Sequence, residues 1–485
     1  MLLTGEFAYK IKKPVDFGFL DFSTLERRKR FCDAELVLNR RFAPSLYLDV
    51  VSIVMTAAGA RISSSGVAIE YAVRMRQFPT QMQLDRQVEA AAVSAAQLAE
   101  FGAALAAVHA SLPSVGAATE FGTAAGVMKP VDENFVQIRQ SVFASIDPAT
   151  IRALERFSID EHARLVATFE ARRRDGFVRE CHGDLHLSNM VRLDGRIQAF
   201  DCIEFSDALR SIDVLSDAAF LVMDCCVRAR ADLGYAFLDR YLEHTGDYPG
   251  VATLRFYLVY RSMVRAKVAA LRAQRVDDAD ARRTFDAHVA FARQRAFERP
   301  AAIVLMCGVS GSGKSWLAER LVPRIAAVRV RSDVERKRLA ALAPLADSGS
   351  NLDAGLYSAQ ATDELYRRLE TCADAVVGGG ERVIVDATYS SAARRAQLRS
   401  IANRRGVHCV TVHCTAPKAL LVERIEQRVR SHADPSEATV AVLERQLLRH
   451  EAPTDAEPSV VAFDTSEPLD VDAIAHRLEA LLAAN

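Results

Sequence analysis

The sequence predicts two domains of different fold class, an α+β domain followed by an α/β domain. In the first part, short strand-like segments precede a long and mostly helical stretch, which indicates a small strand-rich lobe joined to a larger helical lobe. In the second part, short apolar strands alternate with amphipathic segments, the pattern of a parallel sheet flanked by helices. Pro300 separates the two patterns, and we therefore predict domains at residues 1–297 and 298–485.

The composition is typical of a cytoplasmic protein. Half of the 485 residues are apolar, and Lys+Arg and Asp+Glu both number 62, so charge favours neither nucleic acid nor a membrane as partner. Nine scattered cysteines without a C-x-x-C pair indicate reduced thiols. The amino-terminal segment lacks the apolar core of a signal peptide. We expect a soluble, cytoplasmic protein, and the sequence does not indicate its oligomeric state.

The first lobe begins with a strand in "EFAYKIKK". Ser23, followed three residues later by Glu26, predicts a capping box and the start of a helix. The segments "LYLDVVSIVMTA" and "GVAIEYAVRMRQF", joined by the turn "SSSG", predict a hairpin. From Gln81 to Phe297 the pattern is mostly helical, with a loop and strand segment around residues 178–201.

The second domain is predicted to contain five strands. Each is a short, β-branched and apolar run, and long amphipathic segments separate them. The runs are "AAIVLMC", "AAVRVRS", "ERVIVDA", "HCVTVHCT" and "SVVAFDT".

A phosphate-binding loop follows the first of these strands. "GVSGSGKS" fits G-x-x-x-x-G-K-[ST] in full and precedes the helical segment "WLAERLVPRI", whereas a plain glycine-rich turn would not need this context. Backbone N–H groups and the helix start would surround the phosphates, with Lys314 on the β- and γ-phosphates and Ser315 on Mg²⁺. The predicted nucleotide-binding residues are Gly308, Ser310, Gly311, Ser312, Gly313, Lys314, Ser315 and Trp316.

Charged side chains follow the second and third strands. Asp333 and Arg336 lie one turn apart at a helix start, and Asp386 ends the third strand. Because ligands bind at the carboxyl edge of such sheets, we expect Asp333 to accept a proton from an attacking hydroxyl. Arg336 would hold the acceptor, and Asp386 would hold a magnesium-bound water.

Two arginines offer a lid over the transferred phosphoryl group. Arg424 and Arg428 are four residues apart and share a helix face, from which they could neutralise its charge. The alternative is an ordinary solvated face with ion pairs such as Glu426 with Arg430.

These features resemble small P-loop kinases of the polynucleotide-kinase, gluconate-kinase and zeta-toxin type. The resemblance covers roughly residues 300–465. It implies that Asp333 is the general base and that Arg336 binds the acceptor.

The segment "CHGDLHLSNM" of the first domain combines groups suited to phosphoryl transfer. Asp184 precedes Asn189 by five positions, and Asp201 ends the apolar strand "RIQAF". Such transfer needs a carboxylate at the acceptor hydroxyl, here Asp184, and oxygen ligands for Mg²⁺, here Asn189 and Asp201. A zinc site of His182 and His186 would need a helix and a further ligand.

This segment closely resembles the catalytic loop of aminoglycoside phosphotransferases and choline kinases, which share the protein-kinase-like fold. The resemblance implies a strand lysine paired with a helix glutamate, and we predict Lys10 with Glu35, with Lys12 as the alternative. The strand Glu70–Met75 falls where this family contacts adenine. Only nine residues precede Lys10, so we expect either that the true start lies upstream or that the lobe lacks its first strands.

The whole chain resembles bacterial proteins in which an aminoglycoside-phosphotransferase-like domain precedes a P-loop kinase-like domain. The leading functional hypothesis is an ATP- and Mg²⁺-dependent kinase with two sites that phosphorylates a small-molecule hydroxyl. One alternative is a sensing or binding module joined to a P-loop ATPase switch. Another is a kinase for nucleic-acid 5′-hydroxyls, which a single tryptophan and the balanced charge make the third choice.

Overall fold

The chain folds into two compact units. The first comprises Met1–Arg230 and Phe256–Ala296, and the second comprises Ala231–Arg255 and Phe297–Asn485. Ala231–Arg255 thus belongs to the second unit although it precedes Pro300 in the sequence. The computed structural model describes residues 1–16, 21–116, 118–141, 143, 147–273, 279–298, 300–346, 355–431, 434–454 and 456–483.

Up to Phe297 the chain forms a strand-rich start and then mostly helices. Its strands and α-helices are β1 (Leu2–Leu3), β2 (Phe7–Ile11), α1 (Leu25–Asn39), β3 (Tyr47–Thr56), β4 (Gly59–Ile62), β5 (Ala68–Arg76), α2 (Leu84–Glu89), α3 (Ala95–Ser111), α4 (Ala124–Arg139), α5 (Pro148–Arg174), β6 (Val178–Glu180), β7 (Met190–Leu193), β8 (Arg196–Ala199), α6 (Asp207–Arg210), β9 (Ser211–Asp213), α7 (Val214–Val227), α8 (Ala231–Thr245), α9 (Leu254–Ala273) and α10 (Ala279–Phe297).

The remainder of the chain alternates strands and helices. These elements are β10 (Ala302–Cys307), α11 (Lys314–Ile325), β11 (Ala327–Arg331), α12 (Ser332–Leu339), α13 (Ala359–Gly378), β12 (Arg382–Asp386), α14 (Ala392–Arg405), β13 (His408–Thr415), α15 (Lys418–Ser431), α16 (Val440–Arg449), β14 (Val460–Asp464) and α17 (Val471–Ala483). Short 3₁₀ helices lie at Thr80–Met82, Leu187–Asn189, Tyr248–Thr253 and Gly355–Tyr357.

An antiparallel sheet forms the first lobe, in the order β1-β2-β5-β3-β4. The lysine-bearing strand β2 pairs along its length with β5, and α1 packs against β3 and β5. On the other edge of β2, the described residues show pairing with the two-residue strand β1. Most of that edge therefore has no strand beside it within the described part of the chain.

Two local predictions for this lobe were wrong in detail. Helix α1 begins at Leu25 with Thr24 as its cap, because the Thr24 side chain, not that of Ser23, accepts the Arg27 N–H. The predicted hairpin contains an extra strand, since β3 pairs with β4 as well as with β5. Strand β4 is largely exposed, so it lacks the apolar alternation by which a strand is recognised.

The second unit contains the predicted parallel sheet, in the order β11-β12-β10-β13-β14. All five strands were predicted at their observed places in the sequence. The central strand β10 is buried along its whole length and leads directly into the glycine-rich loop. This arrangement confirms the α/β fold class and brings the loop to the carboxyl edge of the sheet.

Helix α8 and the turn after it cover the edge strand β11 of the second unit. Asp239 Oδ1 accepts the Arg329 N–H at 2.6 Å, and the Tyr248 hydroxyl donates to the Arg329 carbonyl at 3.1 Å. Glu243 Oε2 lies 3.1 Å from the buried Arg329 guanidinium. Because these groups satisfy the outer backbone of β11, the edge is not left open for pairing with another chain.

A buried histidine of the first unit makes the stability of the fold depend on pH. His288 in α10 is 4% exposed, and the Ser262 hydroxyl donates to its carbonyl at 2.8 Å. Burial lowers the pKa of His288 to about 4 from the ordinary 6.5. Between these pH values the unfolded chain binds a proton that the folded chain does not, so stability is lost as pH falls through this window.

We expect the His288→Asn variant to lose less of its free energy of unfolding than the wild type between pH 6.5 and 4. The difference should approach about 3 kcal/mol, measured by urea unfolding followed by circular dichroism. His476→Asn is the control, since His476 is exposed on α17. An identical pH dependence in the wild type and both variants would contradict the assignment.

None of the helices in the described residues combines the length and the apolar character needed to cross a membrane. None of the nine cysteines, all of which the structure describes, forms a disulfide.

Candidate functional site

Two lysines of β2 share one buried glutamate in the first unit. Lys10 Nζ lies 2.7 Å from Glu35 Oε1, and Lys12 Nζ lies 2.8 Å from Glu35 Oε2. Lys10 also binds Asp201, and Lys12 also binds Glu204. The structure thus brings Lys10 and Glu35 together as predicted, with Asp201 beside them. The alternative lysine, Lys12, also contacts Glu35 and has a further partner in Glu204.

The two lysines differ in their access to solvent. The side chain of Lys10 is 26% exposed, whereas that of Lys12 is 3% exposed. Burial alone would lower the pKa of Lys10, but the charges of Glu35 and Asp201 outweigh it and hold the pKa above its usual value. Lys10 is therefore charged at neutral pH and accessible to a phosphate, while Lys12 serves mainly to hold Glu35 and Glu204.

A cavity of about 230 Å³ opens beside Lys10 and Asp201. Ala8, Met75 and Phe78 contribute apolar surface to it, as a flat aromatic ring would require. Of the predicted adenine-contacting strand Glu70–Met75, Met75 alone lines this cavity. The strand continues to Arg76, which also lines the cavity, and adenine contact by Glu70–Met75 stays a prediction.

The catalytic-loop residues cluster around Asp184. Asn189 Nδ2 donates to Asp184 Oδ2 at 2.9 Å, and His186 Nε2 lies 3.4 Å from the same oxygen. Burial raises the pKa of Asp184, but the hydrogen bond and charge of His186 outweigh it and hold the pKa well below its usual value. The Asp184 carboxylate is therefore ionised and can accept a hydrogen bond from a hydroxyl.

The conformation of this loop depends on glycine at position 183. Gly183 has φ +84°, and a Cβ there would lie 2.8 Å from the Leu209 carbonyl oxygen. His182 is fully buried, with Nε2 3.0 Å from the Phe200 carbonyl. These contacts place His182 in the packing of the loop and not in a histidine pair for zinc.

Asp217 anchors the loop from α7, and the sequence reasoning did not find it. Its carboxylate accepts the His182 N–H at 3.0 Å and the Gly183 N–H at 2.9 Å, and His109 Nε2 lies 3.3 Å away. Arg261 supports the other side, where its Nη1 donates to the Gly183 carbonyl at 3.1 Å. The signal was that Asp217 is one of two aspartates in a largely apolar helix, which indicates a buried polar role without identifying the partner.

Asp201 is positioned by two further buried residues. Its backbone has φ +64°, and its N–H donates to the Tyr47 hydroxyl at 3.1 Å. Asn39, at the end of α1, accepts the Cys202 N–H at 2.8 Å. The helix that carries Glu35 thus also holds the segment that carries Asp201.

The P-loop of the second unit occupies the expected place between β10 and α11. Gly308 has φ +142°, and a Cβ there would lie 2.4 Å from the Cys414 carbonyl oxygen, so no other residue fits. The Ser315 hydroxyl donates to Asp386 Oδ1 at 3.0 Å. These two predicted metal-site residues are therefore in contact.

Asp333 lies close enough to the P-loop lysine to be affected by its charge. Burial raises the pKa of Asp333, but the charges of Lys314, Arg336 and Arg331 outweigh it and hold the pKa below its usual value. Arg336 donates to the Leu356 carbonyl at 2.6 Å and lies over the Tyr357 ring. The structure thus places both predicted acceptor-side residues on α12, Asp333 in its first turn and Arg336 in its last.

The two lid arginines are hydrogen-bonded to backbone carbonyls. Arg424 donates to the Gly311 carbonyl at 3.2 Å and to the Thr465 carbonyl at 2.6 Å. Arg428 donates to the Ala438 carbonyl at 3.1 Å. Arg424 therefore braces the P-loop, and closure of either arginine over a phosphoryl group stays a prediction.

Two further side chains modify the surroundings of the P-loop. Gln446 Oε1 of α16 accepts the Ser310 N–H at 2.7 Å, a contact across 136 residues that no local pattern indicates. Trp316 is 43% exposed, and the Arg320 guanidinium lies over its ring. A nucleotide contact for Trp316 stays a prediction.

These two sites define a chain with two kinase-type domains. Residues 76–257 match the model of the phosphotransferase enzyme family, and residues 303–453 match an AAA domain. The predicted order, an aminoglycoside-phosphotransferase-like domain before a P-loop kinase-like domain, is confirmed.

Relatives that match most of this chain occur in mycobacteria. The chain is 30% identical over 447 residues to uncharacterized protein Rv2004c of Mycobacterium tuberculosis and to uncharacterized protein Mb2027c of Mycobacterium bovis. Each match covers 91% of this chain and 87% of the relative. The chain belongs to the same family as these proteins.

Solved structures with similarity to part of the chain include two kinases. A putative kinase from Chloroflexus aurantiacus is 18% identical, with a TM-score of 0.31 over 38% of this chain and 99% of that one. A gluconokinase from Sinorhizobium meliloti is 22% identical, with a TM-score of 0.28 over 38% of this chain and 93% of that one.

Proposed function

We propose that the protein is an ATP-dependent phosphotransferase with two sites, which moves the γ-phosphoryl group of ATP to a hydroxyl of a small molecule. One observation carries the proposal. Each unit combines a lysine suited to phosphates with a carboxylate that its neighbours keep ionised, Lys10 with Asp184 and Lys314 with Asp333. Such pairs are what phosphoryl transfer requires, since catalysis consists of positioning and charge stabilisation.

In the first unit, the adenine ring would occupy the 230 Å³ cavity. Lys10, held by Glu35, would bind the α- and β-phosphates at the mouth of this cavity. Asp184 would accept a hydrogen bond from the acceptor hydroxyl and then its proton as the new phosphate ester forms.

In the second unit, the backbone N–H groups of the P-loop and Lys314 would bind the β- and γ-phosphates. Asp333 would orient the acceptor hydroxyl and take its proton. Arg336, beside Tyr357 at the start of the acceptor region, would bind the acceptor.

Both sites contain oxygen atoms of the kind that Mg²⁺ prefers. Asn189 and Asp201 offer an amide and a carboxylate in the first unit, and the side chain of Asp201 is 46% exposed. In the second unit Ser315 would ligate the ion and Asp386, 3.0 Å from its hydroxyl, would hold the ion's water. The ion would neutralise charge on the phosphates.

One observation favours a second candidate function, in which the first unit binds a ligand and the second is an ATPase switch. Within the described residues, β1 covers the outer edge of β2 for two residues only. ATP bound there would have less protein above its phosphates than a complete lobe provides.

A screen of product masses separates these possibilities. The full chain is incubated with ATP, Mg²⁺ and a library of hydroxyl-bearing metabolites and oligonucleotides. We expect a phosphorylated metabolite that is lost in Asp184→Asn or in Asp333→Asn, according to the site that makes it. The matched controls are Asp194→Asn and Asp363→Asn, whose side chains are 63% and 66% exposed.

Three outcomes decide against the proposal or narrow it. A product lost only in Asp333→Asn leaves the first unit as a binding module. Consumption of ATP without any modified acceptor supports the switch. A phosphorylated oligonucleotide as the sole product replaces the small-molecule acceptor with a nucleic acid.

A further inference from the structure

Three side chains of metal-binding type, one cysteine and two histidines, meet near the P-loop and outside the phosphotransfer site. The ligand atoms of Cys307, His413 and His450 all lie within 4.8 Å of one another. Cys307 and His413 are register partners on the neighbouring strands β10 and β13. His450 directly follows α16, so three separate elements contribute to the cluster.

The spacing of the two imidazoles fits a tetrahedral metal ion. His413 Nε2 and His450 Nε2 are 3.4 Å apart. Two nitrogen ligands at about 2.1 Å from a tetrahedral zinc ion are separated by roughly 3.4 Å. Thiolate and imidazole are also the ligands that select zinc over Mg²⁺ or Ca²⁺.

The described residues give the cluster few other polar partners. The Nε2 atoms of His413 and His450 face each other, and Nδ1 of His450 is buried without a hydrogen-bond partner in the described residues. The Cys307 thiol is fully buried, with the Tyr389 carbonyl 3.5 Å from its sulfur. His413 and His450 are half-buried, so this side of the cluster is not sealed from solvent.

The charge around the cluster is partly balanced by one carboxylate. The guanidinium of Arg395 lies nearby, and its Nη1 donates to the Tyr389 carbonyl at 2.9 Å. Glu457 pairs with it through oxygens 2.9 Å from Nε and 2.5 Å from Nη2, and the same carboxylate also lies 2.6 Å from Arg399 Nη1. A bound thiolate would contribute a further negative charge.

We propose that Cys307, His413 and His450 form a zinc-type transition-metal site with three protein ligands and one water. The ion would link the two elements that contact the P-loop, β10 and α16. Cys307 directly precedes Gly308, and His450 follows by one turn Gln446, which accepts the Ser310 N–H. Metal binding would thus hold α16 against the strand that carries the nucleotide-binding loop.

The test uses the untagged full chain, stripped of metal by a chelator and titrated with Co²⁺ and Zn²⁺. We expect one ion per chain, and for Co²⁺ the visible bands of tetrahedral coordination together with a thiolate charge-transfer band. Cys307→Ser should abolish that band, and His450→Gln should weaken Zn²⁺ binding at least about tenfold. The matched controls Cys372→Ser and His476→Gln should keep the wild-type spectrum and affinity.

The wild-type spectrum alone can overturn the proposal, whether or not a variant folds. Absence of the charge-transfer band, or a Zn²⁺ dissociation constant weaker than about 1 μM, would exclude the site. Equal loss of metal in Cys307→Ser and Cys372→Ser would assign the effect to folding and not to ligation. Because the titration contains neither nucleotide nor acceptor, its result is independent of the proposed phosphotransfer.

Discussion

Replacing Lys314 with alanine is expected to abolish nucleotide turnover at the second unit. Lys314 is the first residue of α11, directly after the glycine-rich loop, and its charge reaches Asp333. Without this ammonium group the β- and γ-phosphates lose a charge that favours the transition state, so turnover should fall at least about 100-fold. The rate of ADP formation is measured in an Asp184→Asn background, so that the first unit does not contribute.

Lys418→Ala is the matched control for this variant. Lys418 lies on α15 of the same unit, and its side chain is 62% exposed. Trp316 is the single tryptophan of the chain and directly follows Ser315, so its fluorescence can report ATP binding at this site. Equal turnover in the two lysine variants would contradict the role assigned to Lys314.

Replacing Asp217 with asparagine is expected to have the largest effect on stability. The fully buried carboxylate accepts two backbone N–H groups of the catalytic loop, at His182 and Gly183. An amide offers one oxygen in place of two and turns an N–H₂ group toward a donor, so a buried N–H loses its partner. We expect the free energy of unfolding to fall by about 3 kcal/mol, measured by urea unfolding and circular dichroism.

Asp194→Asn is the same chemical change at an exposed site. Asp194 pairs with Arg76 on the surface, and loss of such a pair costs less than about 1 kcal/mol. Similar stability of the two variants would show that Asp217 is not the anchor of the loop. A stable Asp217→Asn protein that has lost first-unit phosphotransfer would instead place its effect on the geometry of Asp184.

The parts of the fold that could be predicted from sequence are those with a local signal. The strands of the second unit are short apolar runs with more polar residues before and after them. Strand β10 and the P-loop also have a local signal, because the glycine-rich motif directly follows the strand. The pairing of Lys10 with Glu35 was predicted from a family resemblance, because nothing in the spacing of 25 residues selects Glu35 over other acids.

The parts that were not predicted depend on contacts between distant residues. Asp217 lies 35 residues from His182, and Gln446 lies 136 residues from Ser310. The sequence did not reveal that α8 belongs to the second unit, because an amphipathic pattern shows which face of a helix is buried but not which core covers it. Strand β4 was missed because its side chains are mostly exposed.

The path of the chain through α8 has a consequence for how this protein can be divided. Because Ala231–Arg255 belongs to the second unit, a fragment that starts at Pro300 lacks Asp239 and Tyr248 and exposes the backbone of β11. Such a fragment should be prone to self-association. A stable second unit therefore needs Ala231–Arg255 as well as the residues that follow Pro300.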